Sequence, residues 1–261
     1  MPALTPEPQA DWFALMTAPM PRLSLVVPVY NEAANVPALV QGVEAAFNKA
    51  GQGQAWEMII VDDNSPDGTA EVARAIAATN RQLRVIKRIG RRGLSSAVME
   101  GFLSSSAPYV AVMDGDGQHD EALLPTMLER LENGADAVVA SRYVKGGSAA
   151  GLSNGLRQAL SALGTKMTVI VLNVKTSDPM SGFFAIRRPL AEQAATALRG
   201  RGFKVLVDIL ARVPRSTQLV EVPLVFRNRL HGESKLGPRV FLEALVQLSL
   251  LLFKRLQQKK Q

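Results

Sequence analysis

The sequence predicts an α/β domain: a central, mostly parallel sheet with helices on both faces. Three observations lead there. From Leu23 onward, short β-branched and apolar runs alternate with segments of helical spacing. The apolar runs are near-continuous rather than alternating, as in strands buried on both faces. Polar and acidic clusters stand directly after several of these runs, where the ligand edge of such a sheet lies. At 261 residues, 47% hydrophobic and 20% charged, the chain can build a full core and does not have a disordered composition.

Each element follows in order. Leu23–Val29 is the first strand. Ala33–Ala50 is a helix with Val36, Leu39, Val40, Val43 and Phe47 on one face. Trp56–Val61 is a strand, Thr69–Thr79 a helix, Leu83–Lys87 a strand and Leu94–Ser104 a helix. Tyr109–Met113 is the fourth strand, Glu121–Glu132 a helix and Ala137–Ser141 the fifth strand. The second half is less regular. Leu152–Val174 reads as a long amphipathic helix, Phe183–Ile186 as a strand, and Leu190–Leu198 and Val205–Arg212 as helices. Thr217–Phe226 alternates like a strand, Asn228–Pro238 is a glycine-bearing loop, and Val240–Leu256 is a final helix. Residues 1–22, with five prolines and no apolar run of signal length, read as a mobile leader ahead of a domain over 23–236.

Composition removes several chemistries. No cysteine is present, so disulfide scaffolds, thiolate nucleophiles and cysteine-ligated zinc are excluded. With only His119 and His231, a three-histidine metal site is excluded too. The missing cysteines and the start of the chain suit a cytosolic, reducing compartment. The net charge of +7 is unevenly placed: residues 199–261 carry 13 Lys/Arg against 4 Asp/Glu, whereas residues 1–198 carry 17 against 19. A basic C-terminal quarter suits phosphates on a small ligand, a lipid head group or a nucleic acid.

The strand ends concentrate the chemistry. After Val29 come Tyr30, Asn31 and Glu32; Asn31 is suited to cap the next helix and Glu32 to complement its dipole. The second strand runs into Asp62-Asp63-Asn64-Ser65-Pro66-Asp67-Gly68-Thr69, where a helix cap accounts for Asp67 or Thr69 but leaves Asp62 and Asp63. The fourth ends in Asp114-Gly115-Asp116-Gly117-Gln118-His119. Residues two apart in extended chain project to one side, so Asp114 and Asp116 offer paired hard oxygens, and the glycines would let a ligand approach the backbone. Such oxygens suit Mg²⁺ or Mn²⁺ holding a diphosphate; a side-chain-capped turn is the plainer alternative. Three acidic strand ends at one edge repel one another and call for a cation or basic partners. Bases follow: Arg142 at the end of the fifth strand, Arg157 and Ser161 one helical turn apart, then Arg227, Arg229, His231 and Lys235. Together these point to two phosphate sites.

With Val27-Pro28-Val29-Tyr30-Asn31-Glu32, Asp62–Thr69 and Asp114–His119 in this order, the sequence resembles the inverting family-2 glycosyltransferases of GT-A fold. Ser141-Arg142-Tyr143, Asp178-Pro179-Met180-Ser181-Gly182-Phe183, Glu221-Val222-Pro223 and Gly232-Glu233-Ser234-Lys235-Leu236 look like the dolichol- or polyprenyl-phosphate mannosyltransferases among them. The resemblance runs from about Leu23 to about Leu252. It implies that Pro28, Tyr30, Glu32 and Asp63 hold the nucleoside. Asp114, Asp116 and Gln118 would form the metal and diphosphate site, with Mg²⁺ or Mn²⁺ as cofactor, and Arg229 and Lys235 would close over the donor phosphates. Arg142, Arg157 and Ser161 would receive the lipid phosphate, Asp178 would sit near the sugar, and Asp116, Arg142 and Asp178 would carry catalysis. Two departures stand out. Positions 115 and 117, often non-glycine in the family, are glycines here, which predicts a more mobile loop before metal binds. Transmembrane helices that follow the domain in many bacterial relatives are not expected here.

The implied reaction moves mannose from GDP-mannose, or in an alternative glucose from UDP-glucose, onto a dolichyl or polyprenyl phosphate with inversion. The lipid comes from a membrane. Ala244–Phe253 is too short to span one, and residues 237–261 read instead as an amphipathic helix with a basic tail lying on the cytoplasmic side, or packed on its own domain or an anchoring partner subunit. Other classes fit less well. Gly151-Leu152-Ser153-Asn154-Gly155 matches a nucleophile elbow, but no strand precedes it. No P-loop or dinucleotide fingerprint occurs. A basic nucleic-acid-binding module would need aromatics among its bases, and aromatics are 5% of the chain, so no nucleic-acid partner is expected.

Overall fold

Leu23–Val29 (β1) is the spine of the molecule. Leu23, Leu25, Val27 and Val29 point into one core and Val26 into the other, so both faces of the strand are buried. The structure is a computed structural model that describes residues 20–149, 169, 175–195, 205–214 and 216–227. The remaining described elements are α1 (Val36–Lys49), β2 (Trp56–Asp62), α2 (Thr69–Ala77), β3 (Leu83–Lys87), α3 (Leu94–Ser104) and β4 (Tyr109–Val112). A 3₁₀ turn (Glu121–Leu123) then runs into α4 (Leu124–Glu132), followed by β5 (Ala137–Ser141), β6 (Phe184–Arg187), α5 (Arg188–Ala195), α6 (Val205–Leu210) and β7 (Leu219–Pro223).

The strands form one sheet in the order β3-β2-β1-β4-β6-β5-β7. β1 pairs in parallel with β2 and β4, β3 in parallel with β2, and β7 in parallel with β5. β6 lies antiparallel between β4 and β5, so it alone runs against the other six. One face packs on α1, α2 and α4 through Val36, Leu39, Phe47, Ala73, Met127 and Leu131. The other packs on α3, α5 and α6 through Val98, Phe102, Ala191, Ala194, Leu206 and Ile209. The α/β architecture with helices on both faces is as the sequence predicts. The expected long helix over 152–174 and last helix over 240–256 lie outside the described residues, apart from residue 169. The strand expected over 217–226 is shorter; beyond Pro223 only Val225 pairs, in a parallel bridge to Ser148.

One local expectation is corrected. Asn31 does not cap α1. Its φ is +55° and its N–H donates to Ser65 Oγ at 2.9 Å. The helix begins at Val36, with Pro37 in its first turn, where a residue lacking an N–H is tolerated. Asn35 occupies the cap position, and its Nδ2 donates to Glu32 Oε2 at 2.6 Å. The reason lies in the neighbouring loop. Asp67 accepts from the N–H groups of Thr69 and Ala33, both at 3.1 Å, and from the Thr69 hydroxyl at 2.5 Å. The Thr69 hydroxyl oxygen accepts in turn from Glu32 N–H at 3.0 Å. The turn after β1 is thus held by the start of α2 rather than by its own helix.

Burial raises the pKa of Asp67, but the bonds from the Thr69 hydroxyl and the Ala33 and Thr69 amides outweigh it and hold the carboxyl below its usual range. A carboxylate with a depressed folded-state pKa stabilises the fold above its unfolded pKa of about 4, and that contribution is lost as pH falls through the folded value. Asp67→Ala should therefore lower stability at neutral pH in urea unfolding, by less than loss of a buried hydrogen-bonded carboxylate because the site is exposed. The gap between variant and parent should close as the pH is lowered below that range.

Candidate active site

Each acidic strand end is compensated in its own way. Asp62 is fully buried and accepts from the Ser65 N–H at 3.1 Å and from the Ser65 hydroxyl, closing a turn in which Asn64 has φ +57°. It is structural. Asp63 accepts from Arg88 Nη1 at 2.7 Å and from Gly93 N–H at 2.7 Å. Arg88 is 1% exposed; it also donates to the Gly93 carbonyl and Ser96 Oγ, and its Nε lies 3.3 Å from Glu100 Oε2. Sequence reasoning missed Arg88. The register of the folded sheet makes the pair: β2 and β3 align with Asp62 opposite Lys87, which sets the next residues, Asp63 and Arg88, side by side at the sheet edge. The Arg92 guanidinium stands 4.7 Å from the centre of the Tyr30 ring, a cation–π contact that was also not foreseen. Pro28, Tyr30, Glu32 and Asp63 therefore gather at the ends of the adjacent strands β1 and β2.

β4 lies on the other side of β1 and delivers the Asp114–His119 loop to the same edge. Asp116 is 8% exposed, and its Oδ1 accepts from Gln118 N–H at 3.2 Å. The Asp114 side chain is 41% exposed, with Oδ2 3.4 Å from His119 Nε2. His119 is buried between the Phe183 and Phe226 rings, each 5.3 Å away. The glycines have other reasons than ligand approach. A Cβ on Gly115 would stand 2.8 Å from Val29 Cγ1, so glycine lets the loop pack on β1. Gly117 has φ +74°, where glycine carries no steric penalty. A Cβ on Gly182 would fall 2.4 Å from Asp114 Oδ2, so Gly182 leaves room for that carboxylate.

Gln118 is stitched to the segment beyond β7. Its Nε2 donates to the Arg227 carbonyl at 3.0 Å, and Arg227 N–H donates to the Gln118 carbonyl at 2.9 Å. The Arg227 guanidinium, expected among the phosphate-binding bases, instead pairs with Asp120 at 2.7 Å and Glu121 at 3.1 Å. Among the described residues no cluster of three or more His, Asp or Glu side chains could hold a metal ion. Two carboxylates on one tight loop do fit a hard cation that completes its shell with phosphate oxygens and water rather than with protein alone.

Arg142 and Asp178 meet directly. Arg142 Nε and Nη2 donate to the two oxygens of Asp178 at 2.7 and 2.8 Å, and Arg142 N–H adds a bond at 3.1 Å. Asp178, expected beside the sugar, is fully enclosed and turned to this arginine. Burial pulls the Arg142 pKa down, but the hydrogen bond and charge of Asp178, helped by Tyr143 and Asp114, more than offset it and hold the guanidinium above its ordinary value. Arg157, Ser161, Arg229 and Lys235 lie outside the described residues.

Residues 24–194 match the family described as glycosyl transferase family 2. The chain belongs to that family. It is a glycosyltransferase. Its relatives include the dolichol-phosphate mannosyltransferase of Pyrococcus furiosus, 37% identical over 227 residues, which are 86% of this chain and 62% of that protein. The Saccharomyces cerevisiae dolichol-phosphate mannosyltransferase is 35% identical over 233 residues, 86% of this chain and 85% of its own. The undecaprenyl-phosphate mannosyltransferase of Micrococcus luteus is 31% identical over 233 residues, 87% of this chain and 93% of its own. The solved mannosyl-3-phosphoglycerate synthase of Rubrobacter xylanophilus superposes with a TM-score of 0.62 at 18% identity, over 91% of this chain and 75% of that one. A mannosyltransferase of Pyrobaculum calidifontis in complex with GDP-Man and Mn²⁺ gives 0.60 at 19% identity, over 92% and 65%. These structures establish the GT-A fold of this family-2 enzyme.

Gly182→Ala should push the Asp114 carboxylate aside. Glycosyl transfer is expected to fall roughly 10–100-fold, with a melting temperature within a few degrees of the parent. Assaying both on one preparation checks that the loss is local.

Proposed function

We propose that this family-2 glycosyltransferase moves a mannosyl group from GDP-mannose to a dolichyl or polyprenyl monophosphate, giving a β-linked lipid-phosphate sugar. The observation that carries this reading is the 35–37% identity to dolichol-phosphate mannosyltransferases from three organisms, across 86–89% of this chain. The geometry supports it: carboxylates gather at the tips of β1, β2 and β4, and a buried guanidinium stands at the tip of β5.

In this reading Pro28, Tyr30, Glu32 and Asp63 hold the nucleoside, with Asp63 oriented by Arg88 and Gly93. Asp114 and Asp116, with the amide of Gln118, would hold Mg²⁺ or Mn²⁺ against the donor diphosphate. When bound, such a cation neutralises charge on the departing diphosphate as a Lewis acid. Arg229 and Lys235 close over the donor phosphates. Arg142, Arg157 and Ser161 receive the acceptor phosphate. An acceptor phosphate oxygen forms the new bond to the anomeric carbon as the bond to the donor diphosphate breaks, and that bond's electron pair leaves with the nucleoside diphosphate. A phosphate monoester has a second pKa of about 6, so the nucleophile is mostly ionised at neutral pH and needs no base. That fits a site whose only described histidine is packed between two phenylalanines. Attack opposite the leaving group inverts the anomeric carbon. The domain extends over 23–236. No described helix is long and apolar enough to cross a membrane, and residues 237–261 supply peripheral contact with the cytoplasmic leaflet, directly or through an anchoring subunit.

The test offers purified enzyme radiolabelled GDP-mannose or UDP-glucose with polyprenyl phosphate and Mg²⁺ or Mn²⁺, and follows label into organic extract. Label from GDP-mannose supports the reading; label only from UDP-glucose replaces mannose with glucose; label from neither overturns it. Asp116→Ala should lower transfer by at least roughly 100-fold while leaving thermal unfolding cooperative. Unchanged turnover would remove Asp116 from the metal site.

A further inference from the structure

We propose that Asp178 and Glu221 are positioning residues for the acceptor side of the reaction, acting through Arg142 rather than touching the sugar. The inference rests on the assignment of Arg142 to the acceptor phosphate made above.

A guanidinium has five N–H donors and two edges able to grip an oxyanion pair. On Arg142 the edge formed by Nε and Nη2 is taken by Asp178 at 2.7 and 2.8 Å. The other edge, formed by Nη1 and the second hydrogen of Nη2, is the one left for a phosphate. The flat group is also packed, with its carbon 5.4 Å from the Tyr143 ring centre and 5.6 Å from that of Phe226. Asp178 has 0% exposure and spends both oxygens on Arg142, so its carboxylate has no face to offer a substrate. It aims the arginine and balances its charge while the acceptor is absent.

Asp178 is itself held from β7. Its N–H donates to Thr176 Oγ1 at 3.1 Å. Glu221 Oε1 collects three donors from the same segment: Thr176 Oγ1 at 2.9 Å, Ser177 N–H at 2.9 Å and Ser177 Oγ at 2.8 Å. Ser177 Oγ lies 2.7 Å from Ser141 Oγ, which accepts from Tyr143 N–H at 3.2 Å. The register of β5 with β7 sets Val139 opposite Glu221, and Ser141 is two residues on, on the same face. Three blocks far apart in sequence thus converge on one guanidinium, from the strand before it, the loop beside it and the strand flanking it.

The experiment uses the full chain and the isosteric variants Asp178→Asn and Glu221→Gln, because asparagine removes the carboxylate charge but keeps the side-chain volume and one acceptor oxygen that alanine would lose. Acceptor and donor are varied separately, and GDP affinity with Mn²⁺ is measured by calorimetry. Each variant should lower kcat/KM for polyprenyl phosphate, Asp178→Asn by roughly 10–100-fold and Glu221→Gln by less, while donor KM and GDP affinity stay within about twofold, less than 0.5 kcal/mol. Combined with Arg142→Lys, Asp178→Asn should add little beyond the single arginine variant, since coupled residues are not additive. Normal acceptor kinetics, a defect confined to GDP affinity, or full additivity would overturn the inference. If Asp178→Asn does not fold, Glu221→Gln, which keeps the ion pair, decides alone. Arg142→Ala separates the two layers. If it leaves acceptor use intact, the acceptor assignment itself fails; if it impairs acceptor use while the other variants do not, only the positioning role fails.

Discussion

Charge delivered to the end of a buried strand must be compensated, and the structure is organised around that requirement. β1, β2, β4 and β5 are largely apolar, with Glu57 of β2 satisfied by Ser24 and Arg84, and then carry an ionisable side chain into a half-buried edge. A carboxylate there costs several kcal/mol unless it is hydrogen-bonded or paired. Asp62 is closed by Ser65, Asp63 by Arg88 and Gly93, and Asp178 by Arg142. Asp114 is the most open of the group, 41% exposed against 12% for Asp63 and 0% for Asp178. The edge thus separates carboxylates enclosed by their partners from one that stays open to solvent, and Asp116 stands beside it on a loop in which Gly117 takes a positive φ.

The sheet order turns this into a two-sided site. β2 and β1 place the residues assigned to the nucleoside at one end. β4 brings the acidic loop to the middle, and the reversed strand β6 spaces it from β5 and β7, where the basic groups begin. The same order places Gln118 against Arg227, Arg142 against Asp178 and Ser177 against Glu221, pairs more than thirty residues apart in the chain. In the reaction proposed above, two anionic reactants meeting between a cation and a guanidinium need alignment and charge neutralisation more than proton transfer. His119 suits that division: it is enclosed by phenylalanines and stands behind Asp114.

Much of the fold was legible because strands buried on both faces must be continuously apolar, and helices covering them must show one apolar stripe. The strand ends were legible for the same reason: Asp62, Asp63, Asp114, Asp116 and Arg142 follow runs in which Glu57 is the single charged residue. The misreadings share a cause. Asn31 looked like a helix cap because capping is a local pattern, yet a serine 34 residues away claims its backbone. Arg227 looked like one more phosphate-binding base, and its partners proved to be Asp120 and Glu121 on a loop that only the sheet brings near.

By itself the sequence determined the fold class, the strand ends that carry chemistry, the absence of thiol chemistry and the family resemblance, since each depends on residue type and short-range spacing. Only the tertiary structure decided which charge answers which: Arg88 for Asp63, Arg142 for Asp178, Glu221 for the segment that holds Asp178. Pairing depends on distance through space and on the enclosure of both partners, and neither quantity is written along the chain.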